Sequence, residues 1–224
     1  MTSEPTRLLV FDWDGTLMDS QARIVACLRA AIRETGLPPR DEAALRNIIG
    51  LGLREALMAL YPEASESEWD ALVHHYRRHF LELDDTPSVL FEGAEALIRR
   101  LHEQGHFLAI ATGKGRQGLD RVLAETGLAP YFHATRCADE SFSKPHPAML
   151  LDILDVTGMS PDQALMIGDT EYDLQMASNA GVPALGVTYG VHDRERLLAC
   201  RPLDCVDSLA EVGRWLDGWL SRAA

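Results

Sequence analysis

Short runs of consecutive apolar residues alternate along the chain with longer stretches of helical period. Residues 8–11 end at Asp12, 107–111 at Thr112, 164–167 at Gly168-Asp169, and 183–187 at Thr188. Runs of this length without polar alternation suit parallel strands covered on both faces. Between them, apolar positions recur at helical spacing over 94–104, 119–126, 148–157 and 174–180. Gly105, Gly127, Gly158 and Gly181 follow, where helix C-terminal stops belong. Repeated strand-then-helix order predicts right-handed crossovers and an α/β, doubly wound, Rossmann-like parallel sheet. One region departs from this rhythm. Over 21–35, 42–47, 54–60 and 66–83 the pattern is helical only, broken at Gly36-Leu37-Pro38-Pro39, Gly50-Leu51-Gly52 and Pro62. The expected organisation is a core over 1–18 and 87–224, with a small all-helical domain over 19–86 inserted after the first strand. Residues 209–220, with Trp215 and Trp219 four apart, read as a helix covering the sheet.

Composition narrows the function classes. The chain has 224 residues, 46% hydrophobic, enough for a substantial core in one large or two small domains. It carries 21 basic against 34 acidic residues, a net charge of −13. That excess repels phosphate backbones and anionic lipid, which excludes a general nucleic-acid or membrane-surface protein. No apolar stretch approaches the ~20 residues of a bilayer span. The polar segment 1–7 runs straight into the first apolar run, unlike a secretory leader. Cys27, Cys137, Cys200 and Cys205 form no CxxC pair. The expectation is a cytoplasmic protein with reduced thiols, a monomer or homodimer, acting on a small molecule.

The chemistry-bearing positions follow the apolar runs. Asp12 and Asp14 come after the first, Thr112 after the second, and Lys144 after a weaker run at 132–137 and its loop. Asp169 and Asp173 close the set. Each alone could be a helix cap, a turn residue or a surface charge. Together they sit at the carboxyl edge of a parallel sheet, where ligands bind in open α/β folds. Carboxylates converging on one edge repel unless a cation lies among them, and an oxygen-rich set of this kind suits Mg²⁺.

The segment Phe11-Asp12-Trp13-Asp14-Gly15-Thr16-Leu17 resembles the first motif, DxDGT, of the haloacid dehalogenase superfamily. Thr112 in Ala111-Thr112-Gly113-Lys114 is similar to its second motif. Lys144 in Ser143-Lys144-Pro145-His146 is similar to the third, and Gly168-Asp169-Thr170-Glu171-Tyr172-Asp173 to the fourth. The motifs occur in order over almost the whole chain, and a helical insertion between the first two resembles the cap of the phosphoglycolate phosphatase-like group, subfamily IA. The resemblance implies a Mg²⁺-dependent phosphatase of small organic phosphomonoesters, with 2-phosphoglycolate as first candidate substrate. It makes Asp12 the nucleophile that forms an aspartyl-phosphate and Asp14 the acid and base. It assigns Asp12, Asp169 and the Asp14 backbone carbonyl to Mg²⁺. Gly15, Thr112, Gly113 and Lys144 would contact the phosphoryl group, and Asp173 would support Lys144 or a water on the metal.

Several positions carry weaker signals. Trp13 is bulkier than the residue usual between the two aspartates, and alternation turns it into the core. Gly113 stands where an Asn or Ser is common, which removes a possible substrate contact. Lys114 and Arg116 read as surface charges. His74, His75 and His79 read as solvated or capping residues. The Gly50-Leu51-Gly52 turn is either an inter-helix connection or a cap loop facing the site. Arg54 beside it, and then Arg23, are the expected partners of a substrate carboxylate.

A phosphomutase would use the same aspartyl-phosphate, although Thr16 stands where mutases commonly have Val. Dehalogenases lack the second aspartate. Phosphonatases use a cap lysine, but the only lysines are Lys114 and Lys144. A receiver-like phospho-binding module clusters the same residue types, but in a shorter chain with no helical insertion.

Overall fold

The computed structural model describes residues 6–222. The chain runs from β1 (Leu8–Phe11) through a short β2 (Met18–Asp19) into four helices, α1 (Gln21–Thr35), α2 (Glu42–Asn47), α3 (Leu53–Leu60) and α4 (Glu66–Arg78). A π-helical turn over His79–Leu83 and β3 (Val89–Leu90) lead back. There follow α5 (Ala94–Glu103), β4 (Phe107–Thr112), α6 (Arg116–Thr126), β5 (Ala134–Cys137), α7 (Ala148–Thr157) and β6 (Ala164–Gly168). The chain ends in α8 (Glu171–Ala180), β7 (Ala184–Val187), α9 (Arg194–Ala199), β8 (Asp204–Val206) and α10 (Leu209–Arg222).

Six strands form one parallel sheet in the order β5-β4-β1-β6-β7-β8, the doubly wound α/β architecture expected. Leu8 to Phe11 lie opposite Phe107 to Ile110 on one side and Ala164 to Ile167 on the other. That register brings the residues after β1, β4 and β6 level at one edge. The missing polar alternation has its reason in packing. Leu9 and Phe11 face a cluster with Ile98, Leu119 and Val212, whereas Leu8 and Val10 face another with Leu150, Ile153 and Ala177. Left-handed Gly127, Gly158 and Gly181 end α6, α7 and α8, where the sequence places stops.

Helices α1 to α4 pack around their own apolar centre, which includes Leu28, Leu45, Leu57 and Leu72. This helical group leaves the sheet at β2 and returns at β3, whose residues pair antiparallel as Met18 with Leu90 and Asp19 with Val89. The helical stretch 66–83 divides after Arg78. The Asp84 amide bonds the His79 carbonyl, and Arg23 donates to the Phe80 and Asp84 carbonyls. Arg23 thus satisfies a carbonyl that a continued α-helix would have used. Among the described residues, no helix is long and apolar enough to cross a membrane.

Trp13 is fully buried in the sheet cluster, and its indole nitrogen lies 3.3 Å from the Met18 sulfur. Trp13→Ala should destabilise the protein by ~3–5 kcal/mol through lost burial and a residual cavity. Urea unfolding checks this; a cost under about 1 kcal/mol would mean that Trp13 is not part of the core.

Candidate active site

The centre of the site is an ammonium between carboxylates. Asp12 continues β1, its amide donating to the Ile167 carbonyl at 2.9 Å. Its Oδ1 accepts from Lys144 Nζ at 2.6 Å, while its buried Oδ2 has no hydrogen-bond partner among the described residues. Lys144 arrives from the loop between β5 and α7, is 1% exposed, and also pairs with Asp173 Oδ1 at 2.6 Å. Asp173 is held by the start of its own helix. Its Oδ2 accepts from the Thr170 amide at 3.0 Å and from Thr170 Oγ1 at 2.7 Å, closing a capping box.

Asp169 follows β6. Its Oδ1 accepts from Thr16 Oγ1 at 2.9 Å and its Oδ2 from the Val191 amide at 2.8 Å. One oxygen from each of Asp12, Asp169 and Asp173 lies within 4.8 Å of the others. Two glycines make this possible. A Cβ on Gly15, whose φ is +85°, or on Gly190 would stand 2.2 Å from Asp169 Oδ2. Gly15 belongs to the expected set. Gly190, in the loop after β7, carries no motif and was legible only as an unexplained loop glycine.

Burial raises the Asp12 carboxyl well above its ordinary range. Lys144 opposes that shift, and the charges of Asp173 and Asp169 add to it. Burial, then Asp173, lifts Asp169 to about 7, against the Val191 amide and Thr16 hydroxyl. Burial disfavours the Lys144 ammonium, but Asp12 and Asp173 outweigh it and hold the group above its usual value. Three carboxylates thus share one ammonium. Three buried carboxylates with oxygens this close fit a hard divalent cation, for which Asp12 and Asp169 are the expected donors, while Asp173 is paired with Lys144 and capped by Thr170.

Asp14 is pinned by its surroundings. Its Oδ1 accepts from Ser20 Oγ and lies 2.9 Å from Lys114 Nζ. This corrects the reading of Lys114 as a surface charge: it is buried, and its ammonium sits 4.5 Å from the Phe80 ring centroid. The available signal was scarcity, since both lysines of the chain follow strands at the same edge. Arg116 does stay outside the site, bonded to Glu140, Asp120 and Thr135. Thr112 ends β4, is 1% exposed, and lines the same cavity as Asp12 and Asp14.

The helical group closes over this edge through the Gly50-Leu51-Gly52 turn. The Gly52 amide donates to Ser143 Oγ at 2.7 Å, next to Lys144. A Cβ on Gly113 would lie 2.4 Å from the Leu51 carbonyl oxygen and 2.6 Å from that of Gly50. Gly113 therefore lets the cap turn approach, a role that its reading as a lost substrate contact missed. The Asn47 carbonyl accepts from Tyr172 Oη at 2.9 Å, a second tie between cap and core. The cavity between them measures about 600 Å³. Gly50, Gly52 and Arg54 line it, but Arg54 uses its two terminal nitrogens on Glu66 and Asp70. Arg23 is not brought to the cavity wall; it braces the π-helical turn. His75 and His79 bracket Glu34 between α4 and α1.

A family model of haloacid dehalogenase-like hydrolases matches residues 9–187, which span all four motifs. The chain belongs to this family. The "Probable phosphatase IndB" of Dickeya dadantii is 37% identical over 92% of this chain and 91% of its own. A "Phosphoglycolate phosphatase" of Vibrio vulnificus is 30% identical over 95% and 96%, and a "5'-nucleotidase" of Pseudomonas aeruginosa 30% over 93% and 95%. Among solved structures, "a predicted phosphatase from Clostridium acetobutylicum" superposes with a TM-score of 0.86 at 27% identity, over 95% of this chain and 99% of that one. The haloacid dehalogenase-like match ends at β7, so Gly190 and Val191, which shape the Asp169 pocket, lie just beyond it.

Burial of Asp169 beside Asp173 has a measurable consequence in metal-free protein. Folded Asp169 holds a proton up to about pH 7, whereas the unfolded chain releases it near pH ~4. Between these values the unfolded state loses the proton first, so the group's stabilising contribution is present at low pH and lost as pH rises. With a chelator present, the Tm of wild type relative to Asp169→Asn should fall steadily across that window. A difference independent of pH would contradict the assignment.

Proposed function

We propose that this chain hydrolyses small organic phosphomonoesters, with Mg²⁺ as cofactor, by passing the phosphoryl group through Asp12. The observation that carries the reading is the Asp12 carboxylate itself. One oxygen is fixed by Lys144 at 2.6 Å and the other is buried and unspent at the end of a rigid strand. A carboxylate so held is oriented for in-line attack. Asp12 bonds to phosphorus as the bond from phosphorus to the alcohol oxygen breaks. Asp14, fixed through Oδ1 by Ser20 and Lys114, keeps its second oxygen for the proton that the leaving alkoxide takes up. The same carboxylate then removes a proton from water as that water attacks phosphorus, which releases phosphate and restores Asp12. Thr112 donates its hydroxyl proton to a phosphoryl oxygen, and the Lys144 ammonium offsets the charge gathering there. Mg²⁺, when bound, supplies further screening between Asp12, Asp169 and the incoming anion.

The phosphatase reading draws support from the names of the relatives, which include phosphoglycolate phosphatase and 5'-nucleotidase. With relatives so named, 2-phosphoglycolate is the first substrate to assay, and selection among substrates falls to the cap in this reading.

Asp12→Asn should reduce kcat on p-nitrophenyl phosphate at least ~1,000-fold in protein that keeps the wild-type far-UV circular dichroism, because an amide is a poor nucleophile of the same shape. Asp14→Asn should lose most of kcat on an alkyl phosphate. EDTA should abolish turnover and Mg²⁺ restore it. Undiminished turnover by Asp12→Asn, or turnover that survives exhaustive chelation, would overturn the proposal.

A further inference from the structure

The cavity under the cap carries information about the leaving group that the motifs do not. Its reacting end is Asp12, Asp14 and Thr112; the opposite walls come from the helical group. Those walls are mostly apolar, with Leu28, Ile48, Leu53, Val73, Tyr76 and Leu81 facing the space. Tyr76 and Phe80 stack on each other at 5.7 Å between centroids and 18° between planes, and both line the cavity together with Asp14. The volume, about 600 Å³, falls within the ~300–1,000 Å³ of sites that enclose drug-sized ligands. An ester of a two-carbon hydroxy acid would leave most of this apolar space to water.

Charge points the same way. Five carboxylates, Asp12, Asp14, Glu55, Asp70 and Asp139, line the cavity against Arg54, Arg77 and Lys114. Arg54 is engaged by Glu66 and Asp70, and Lys114 by Asp14. Arg77 is exposed, so its charge is solvated. Among the described residues at the cap end of the cavity, no buried cation is left unpaired to receive a carboxylate on the leaving group, and such a group would face Glu55 and Asp70. A neutral body with a ring would instead displace water from these apolar walls and pack against them.

We propose that the preferred substrate is the phosphomonoester of an uncharged alcohol carrying a ring, rather than of a short hydroxy acid. This rests on the phosphatase reading above and names its substrate class. Only the phosphoryl end then needs charged partners, and the cap contributes shape and apolar contact. Selection by apolar contact predicts a preference set mainly through KM.

The test compares four esters of primary alcohols, with Mg²⁺ present: 2-phenylethyl phosphate, uridine 5′-phosphate, ethyl phosphate and 2-phosphoglycolate. Similar leaving-group chemistry makes differences in kcat/KM report on the cavity. At least one ring-bearing ester should exceed both small esters, by about tenfold, mostly in KM. A kcat/KM for either small ester equal to or above both ring-bearing esters overturns the proposal while leaving the phosphatase reading intact. No turnover of any of the four, nor of p-nitrophenyl phosphate, overturns the phosphatase reading instead. Val73→Phe, which pushes an aromatic ring into the cavity from α4, should lower the ratio of kcat/KM for 2-phenylethyl over ethyl phosphate several-fold. An unchanged ratio in a variant of wild-type Tm also counts against the assignment.

Discussion

Lys144 is buried, and the geometry at the sheet edge depends on it. Its ammonium links Asp12 at the end of β1 to Asp173 at the start of α8, at 2.6 Å each. A buried charge is tolerated only where partners surround it, and removing one partner of a buried pair typically costs ~3–5 kcal/mol. The constraint runs outward from there. Asp173 is positioned by the Thr170 cap, Lys144 by a loop whose Ser143 also receives the Gly52 amide, and Asp12 by the central strand. Three carboxylates against one ammonium leave the edge short of positive charge. That shortage is what a bound cation would relieve.

Backbone groups of the helical group meet core side chains at this edge. Gly113 admits the carbonyls of Gly50 and Leu51, Gly52 donates to Ser143, and Asn47 accepts from Tyr172. Lys114 completes the join, since it touches Asp14 of the core and the Phe80 ring of the cap at once. The contact between the helical group and the sheet edge therefore also fixes Asp14.

Much of this was legible in the sequence, for identifiable reasons. Strands buried on both faces write themselves as unbroken apolar runs, so β1, β4, β6 and β7 stand out, and the residues that follow them mark the edge. Helices α1, α2 and α7 show in period and stops alike. The two-residue strands β2 and β3 do not, because pairing alone defines them and Val89 is exposed. Nor does the break after Arg78, which depends on Arg23, more than fifty residues away, bonding the Phe80 carbonyl. Within the site, the motif residues could be placed by order and spacing. Lys114, Gly190 and the true role of Gly113 could not, because each is defined by what another segment brings next to it. Arg54 shows the same limit from the other side. Its position beside the cap turn is visible in the sequence; its engagement by Glu66 and Asp70 is not.

The central claim is that the phosphoryl group passes through Asp12. Rapid acid quench during turnover of p-nitrophenyl phosphate with Mg²⁺, followed by borohydride reduction, converts an acyl-phosphate into an alcohol that peptide mass spectrometry can locate. The account predicts reduction at position 12 alone, dependent on substrate and absent in Asp12→Asn. Turnover at full rate with position 12 unmodified at every quench time, or modification at another residue, would contradict it.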